Sequence, residues 1–299
     1  MTKYKYFIAA FSAFFIWGFF SLALKPIQNY ASLDILFYRL FGSVLLLSIV
    51  NLLFRRSIIV KNWQLFNSNS PIKKPKIVLQ IVLGGFILIL NWFVFIFVVN
   101  HIGVKTASFA YLICPILTTV LAFFILKEKL NSWQWAGVFI SIISCAILSF
   151  HDISNLIYSL IVASTYAFYL ISQRKNYGFD KLISLNIQLL IATIVVLPFY
   201  PSFSGAIPTD GLFYFYIFII VIMFTIVPLF LNLYALQGLS SATVGILIYI
   251  NPILNFVMAL FYYHEKVTTL QIISYSLILI SIVVFNKKLL FNTNNSSIQ

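Results

Sequence analysis

The sequence predicts an all-α polytopic membrane protein with ten transmembrane helices. They form two inverted five-helix repeats, with both termini cytoplasmic. Three observations predict this. The first is composition: 62% of the 299 residues are hydrophobic and 8% are charged, with a mean hydropathy of +1.03. Soluble domains carry about 25% charged residues, so little of this chain is left for a soluble domain. The second is an internal repeat. Thr106–Lys129 returns 137 positions later as Thr243–Lys266, with ten of 24 positions identical. These include Pro115/Pro252, Glu128/Glu265 and Lys129/Lys266. An odd number of spans separates the copies, so they point in opposite directions, as in alternating-access transporters. The third is the distribution of Lys and Arg. With the N-terminus inside, 15 of the 19 lie on the inner side, three outside, and Arg39 within a span. That bias orients the chain with both termini inside and supports an even number of spans.

A span of the hydrocarbon core needs about 20 apolar residues. The first runs from Tyr6 to Leu24, between Lys3/Lys5 and Lys25-Pro26. It resembles a signal peptide, but no small-x-small cleavage site follows, so an uncleaved helix is expected. The second, Ile35–Phe54, ends at Arg55-Arg56. A basic inner loop without acids, Arg55–Lys76, leads to the third, Ile77–Val99, and suits contact with anionic headgroups. The fourth, Thr106–Leu126, lies between Lys105 and Lys127, and the fifth is Trp133–Phe150. Leu156–Ser172, the sixth, stops before Arg174-Lys175. Leu182–Tyr200, the seventh, follows Lys181 and gives way to the turn-rich segment Pro201–Gly211. The last three are Leu212–Leu236, Ala242–Tyr263 and Leu270–Phe285, the final one closed by Lys287-Lys288. The expected units are residues 1–150, residues 154–288 and a polar cytoplasmic tail, 289–299. A weaker match at an offset of 149 sets Trp17 opposite Tyr166, Leu33 opposite Leu182 and Arg39 opposite Gln188. The net charge of +13 belongs to the loops and gives no reason to expect nucleic acid. Cys114 and Cys145 both fall inside spans and read as small core residues.

Several segments carry a family resemblance. They are Phe15-Ile16-Trp17-Gly18, Asn91–Asn100 (NWFVFIFVVN), Ala107–Ile116 (ASFAYLICPI), Thr225–Phe230 (TIVPLF), and the run from Ser241 through Asn251-Pro252 to Glu265-Lys266. In order and spacing the chain resembles the EamA-type drug/metabolite transporters, and within them the RarD-type branch, named for chloramphenicol sensitivity. The resemblance implies ten helices in inverted repeats. It also implies that spans one, three, four, six, eight and nine surround a central cavity. Where that branch often has a His-Arg pair, this chain has Tyr38-Arg39, so no role for the His carries over.

Residues at depth suggest how transport would work. Pro115 and Pro252 sit near mid-span and remove a backbone donor, freeing the carbonyls of Tyr111 and Ile248. They are the candidate hinges, since such irregularity is tolerated where it is buried or lines water. The small residues Ala107, Ser108, Ala110, Ser241, Ala242 and Gly245 permit close helix approach at the starts of the same spans. Asn91 lies about 13 Å from the outer end of span three. Asn251 and Asn255 share one face of span nine. These three, with Trp17, Tyr111, Tyr166, Tyr169 and Tyr249 as flat walls with polar tips, are the candidate substrate-binding residues. Arg39 sits about 7 Å below the start of span two, within snorkelling reach of the interface. It would attract an anionic group or act at a gate; its spacing from Asp34 disfavours that pair. Glu128-Lys129 and Glu265-Lys266, on opposite faces, are the candidate inner and outer gates.

All six acids and all three His residues lie at span ends or in loops. A midplane carboxylate relay for protons is therefore not expected, which favours facilitated diffusion or exchange. Coupling through Glu265 or His101 is the alternative. No HExxH, intramembrane Asp pair, GxSxG or nucleotide fingerprint appears, so neither an enzyme, a metal, a cofactor nor a bound nucleotide is expected. The expected partners are a small-molecule substrate and the lipid bilayer, with the chain a monomer or homodimer. The expected function is secondary transport, export or exchange, of a small organic metabolite or amphipathic compound across the bacterial cytoplasmic (inner) membrane. A channel or scaffold is the alternative, without the ring of charges that a pore normally uses.

Overall fold

The computed structural model describes residues 2–101, 104–149, 156–174, 178–262, 264 and 268–291. Among these residues every regular element is a helix. In the first half they are α1 (Thr2–Gly18), α2 (Phe20–Leu24), α3 (Ser32–Ile49), α4 (Arg56–Ser68), α5 (Lys73–His101), α6 (Val104–Ile125) and α7 (Ser132–Ser149). The second half holds α8 (Leu156–Arg174), α9 (Lys181–Val196), α10 (Tyr200–Phe203), α11 (Gly211–Val221), α12 (Val227–Ala235), α13 (Ser241–Leu247), α14 (Ile250–Phe261), α15 (Thr269–Phe285) and α16 (Lys287–Phe291). π-helical turns at Val50–Phe54 and Ile222–Ile226 continue α3 and join α11 to α12.

Five stretches are long and apolar enough to cross a membrane: Leu33–Phe54, Lys73–Phe95, Lys181–Phe199, Gly211–Ala235 and Ser241–Met258. Phe109–Ile125, Ser132–Leu148 and Thr269–Phe285 are shorter apolar helices. α1 and α8 coincide with the expected first and sixth spans, without the same combination of length and apolarity. Large apolar side chains cover the outer surface. Leu45, Phe139, Ile194 and Phe218 are all more than half exposed, an arrangement that water would penalise and lipid would not.

Two expected spans are interrupted. The first breaks at Phe19, whose amide donates to the Ile16 carbonyl at 3.0 Å. The ninth breaks at Ile248–Tyr249, between α13 and α14. Pro252 cannot donate to the Ile248 carbonyl; the Asn251 amide does so instead, at 3.0 Å, tightening the turn. Its repeat counterpart Pro115 lies inside α6, which runs on unbroken. The Arg55–Lys76 segment also departs from a simple loop: α4 occupies most of it, with Trp63 exposed.

Helix starts carry short-range caps. Asp180 accepts from the Leu182 and Ile183 amides, Asp210 from Leu212 and Ser240 from Thr243. Thr268 and Gln271 form a capping box on α15. In the core α6 packs on α8 and α13, α5 on α8 and α9, α1 on α12 and α14, α3 on α9 and α11, and α7 on α15. Close approach depends on missing side chains. A Cβ at Gly85 would stand 2.7 Å from the Gln188 carbonyl oxygen, and one at Gly245 2.7 Å from Thr118 Cγ2. Buried and half-buried amides join α5, α8 and α9. Gln188 Nε2 donates to Gln173 Oε1 at 2.8 Å, and Gln80 Nε2 to the Ser172 carbonyl at 2.9 Å.

Candidate substrate site and gates

The expected cavity residues divide into three groups. Trp17, Arg39 and Tyr111 come together around the π-helical turn Ile222–Ile226. Trp17 Nε1 donates to the Phe224 carbonyl at 2.8 Å. Arg39 Nη2 donates to the same oxygen at 3.3 Å, and its Nε to Thr225 Oγ1 at 2.6 Å. That carbonyl is free because Pro228, four residues on, has no N–H to offer it. The Arg39 guanidinium lies over the Trp92 ring at 4.3 Å and near the Phe20 ring at 5.4 Å. Tyr111 stands within electrostatic reach of Arg39 and packs on Phe95. Phe224 and Thr225 lie near the middle of the Gly211–Ala235 stretch. Arg39 thus turns inward to mid-depth instead of snorkelling to the interface. Trp17, Phe20, Arg39, Trp92 and Tyr111 are all partly exposed.

A second group is part of the packing. Tyr166 meets Trp17 edge-on at 6.4 Å, stacks on Tyr169 at 6.1 Å, and accepts from Asn232 Nδ2 at 3.2 Å. Tyr169 and Tyr249 are fully buried. Asn91 is also buried and ties α5 to α8, donating to the Val162 carbonyl at 3.1 Å and to Thr165 Oγ1 at 2.8 Å. The third group is Asn251 and Asn255. Asn255 Nδ2 donates to Asn251 Oδ1 at 2.7 Å. Asn255 is exposed, about 160° around α14 from the exposed Val257.

At one end of the bundle Glu128 closes the first repeat copy on the second. Its two carboxylate oxygens accept from the amides of Ser241 and Ala242, at 2.8 and 3.2 Å, at the start of α13. Arg174 joins them, 3.7 Å from the carboxylate, and donates to the Leu236 carbonyl at 2.8 Å. The cation at this closure is therefore Arg174, while Lys129 is exposed. Lys127 aims Glu128 by adopting φ 54°, in the left-handed region. The other non-glycine residue with positive φ among those described is His264, at 52°. It is the residue matched to Lys127 at an offset of 137. Glu265 and Lys266, the expected outer gate, lie outside the described residues.

Two aspartates brace the halves. Asp34, in the first turn of α3, accepts from the Gly205 amide at 3.1 Å, beyond α10. Asp180, at the start of α9, takes a two-pronged bond from Arg55 at 3.0 and 2.8 Å. Burial pushes the Asp180 carboxyl up. The bonds from Arg55 and from the Ile183 and Leu182 amides outweigh it and hold the group below its usual range. A cavity of about 390 Å³ beside Asp180, lined by Lys61, Asn62 and Lys181 among others, shares no residue with the Arg39 cluster. No group of side chains suited to a metal ion occurs among the described residues. Sequence reasoning passed over Thr225, the Phe224 carbonyl, and Arg174 as a gate partner. Pro228 was the signal for the carbonyl, by the rule already applied to Pro115 and Pro252.

The sequence profile of the EamA-like transporter family matches the chain twice, over residues 4–150 and 153–287. The chain belongs to the EamA-like transporter family. The uncharacterized transporter YojE of Bacillus subtilis (strain 168) is 30% identical over 279 residues, covering 91% of this chain and 90% of YojE. Protein RarD of Escherichia coli (strain K12) is 24% identical over 300 residues, covering 97% and 96%. A solved crystal structure superposes with a TM-score of 0.69 at 14% identity, over 93% of this chain and 94% of the other; that likeness concerns the fold alone. An EamA-like chain with these relatives and this apolar helical surface is a membrane transporter.

Proposed function

We propose that this EamA-like protein is a secondary transporter of the bacterial cytoplasmic membrane. It moves a small organic metabolite or amphipathic compound by alternating access, as an exporter or exchanger. Its ten spans form two inverted five-helix repeats. The observation that carries the proposal is the Glu128 closure, in which the end of one repeat copy caps the start of the other. A seal between repeat copies at one face, with an aromatic and polar site behind it, is what an alternating carrier requires. The helix contacts support the repeat. Shifting every span by five turns α5–α8 into α12–α1, α6–α8 into α14–α1, and α5–α9 into α11–α3, all of which occur. The left-handed backbone shared by Lys127 and His264, matched at the repeat offset, supports the same reading.

The test begins with an untargeted comparison of metabolites inside and outside cells with and without the protein. The solutes that differ are then followed in proteoliposomes. Counterflow without nucleotide is expected, and accumulation driven by a pH gradient alone would overturn the uncoupled reading. The gate is tested with Ser241→Cys, a buried position, in a Cys114→Ala/Cys145→Ala background. Replacing Glu128 by Ala should raise maleimide labelling of that cysteine several-fold; unchanged labelling would remove Glu128 from the gate.

A further inference from the structure

We infer that Arg39 is the anchor for the carboxylate of an amphipathic monoanionic solute. This rests on the transporter reading above and adds the charge class of its cargo. The hydrogen bonds of the guanidinium go to neutral acceptors, Thr225 Oγ1 and the Phe224 carbonyl. Neither bond uses Nη1, whose N–H donors remain for a ligand. Asp34, the acid nearest in sequence, is committed to the Gly205 amide. The ion pairs among the described residues, Arg55–Asp180 and Arg174–Glu128, involve other cations. The Trp92 and Phe20 rings ease the charge without cancelling it. A lone charge at this depth costs several kcal/mol, and a carboxylate in two-pronged contact would offset that cost.

The surroundings specify the rest of the solute. Trp17, Phe20, Trp92 and Tyr111 are partly exposed beside the guanidinium, a wall suited to an aromatic or aliphatic body. A single cation suits one negative charge better than two. Arg39 would have another role, bracing the π-helical turn, if its bonds to Phe224 and Thr225 were its whole purpose. The two roles differ in what they predict about ligand charge.

The test uses the purified full-length protein in detergent at neutral pH and three probes of matched shape: 3-phenylpropionate, 3-phenylpropionamide and 3-phenylpropylamine. Binding is read from tryptophan fluorescence and from the shift in thermal unfolding. The carboxylate should bind at least tenfold more tightly than the amide, and the amine more weakly than either. Arg39→Gln should erase the preference, and Arg39→Lys should keep its sign while weakening it. Equal binding of carboxylate and amide, or a preference that survives in Arg39→Gln, would overturn the inference. So would failure of the whole carboxylate series from benzoate to 4-phenylbutyrate to bind. The charge series on the native protein stands even if a variant fails to fold. Uptake of the same probes into proteoliposomes separates the two readings. Charge-selective binding without transport overturns the transporter and leaves the anchor; charge-blind transport does the reverse.

Discussion

Asp180 uses one carboxylate to cap α9 and hold Arg55, while its backbone amide donates to Asn62 Oδ1 of α4 at 2.9 Å. Its folded pKa is depressed, so the sign of the pH effect follows directly. The stabilisation is fully present above the unfolded value of about 3.9 and is lost as pH falls through the lower folded value. Thermal unfolding in detergent should therefore show Asp180→Asn less stable than the native protein at pH 7, with the gap closing as pH falls below about 4. A constant gap would assign the effect to something other than ionisation. Asn91 makes a different prediction. Its bonds to Val162 and Thr165 join two helices, a contact worth about 1 kcal/mol in membranes. Asn91→Leu should lower stability by about that amount, measured by reversible unfolding in detergent, while the carboxylate preference at Arg39 remains. Trp17 and Arg39 were legible as candidates from residue type and depth alone. Their meeting point was not, because a backbone carbonyl carries no side-chain label. Nor could spacing along α3 say whether Arg39 rises to the interface or turns inward; that depends on Thr225 and Phe224, more than 180 residues away.

Among elements, the joined helices α11 and α12 show how a proline shapes a site without contributing a side chain to it. Pro228 leaves the Phe224 carbonyl free, and Trp17 and Arg39 take it. Pro228→Ala restores a competing donor inside the helix. It should weaken probe binding at Arg39 several-fold while leaving the fold intact by circular dichroism; unchanged binding would show that the π-helical turn does not depend on the proline. The α6–α13 contact is less forgiving. At Gly245 even a Cβ meets Thr118, and overpacking costs about 1–3 kcal/mol. Gly245→Val should lower thermal stability accordingly, and Gly245→Ala should fall between. Helix positions were largely legible from apolar run length and flanking charge. The interruptions were not. Identical prolines at matched positions gave an unbroken α6 and a split between α13 and α14, so proline alone does not fix a break. Tyr249 is buried at the split, and Thr118 and Thr119 are buried along the unbroken α6.

Across the whole molecule, the repeat relates contacts as well as sequence. Asp34 holds the chain beyond α10, and Asp180 holds the chain just beyond α3, each bracing the opposite half. These ties come as a pair while the central charge does not. Arg39 is set opposite Gln188 in the second half, and Gln188 is buried among amides. Loop charge makes the orientation testable: single cysteines at Lys61 and Lys288 should be labelled only from the cytoplasmic side in sealed cells. The uneven charge at the centre also has an electrical consequence. A carrier whose only central charge is a fixed cation carries no counter-charge when its cargo is one anion, so each crossing moves net negative charge. A potential of 100 mV acts on that charge with about 2.3 kcal/mol. In a cell that is negative inside, this force points outward, without ATP or a proton. Collapsing the potential should slow efflux of the carboxylate and leave efflux of a neutral solute unchanged. If Arg39 selects a monoanion, as inferred above, the membrane's voltage sets the direction in which that cargo moves.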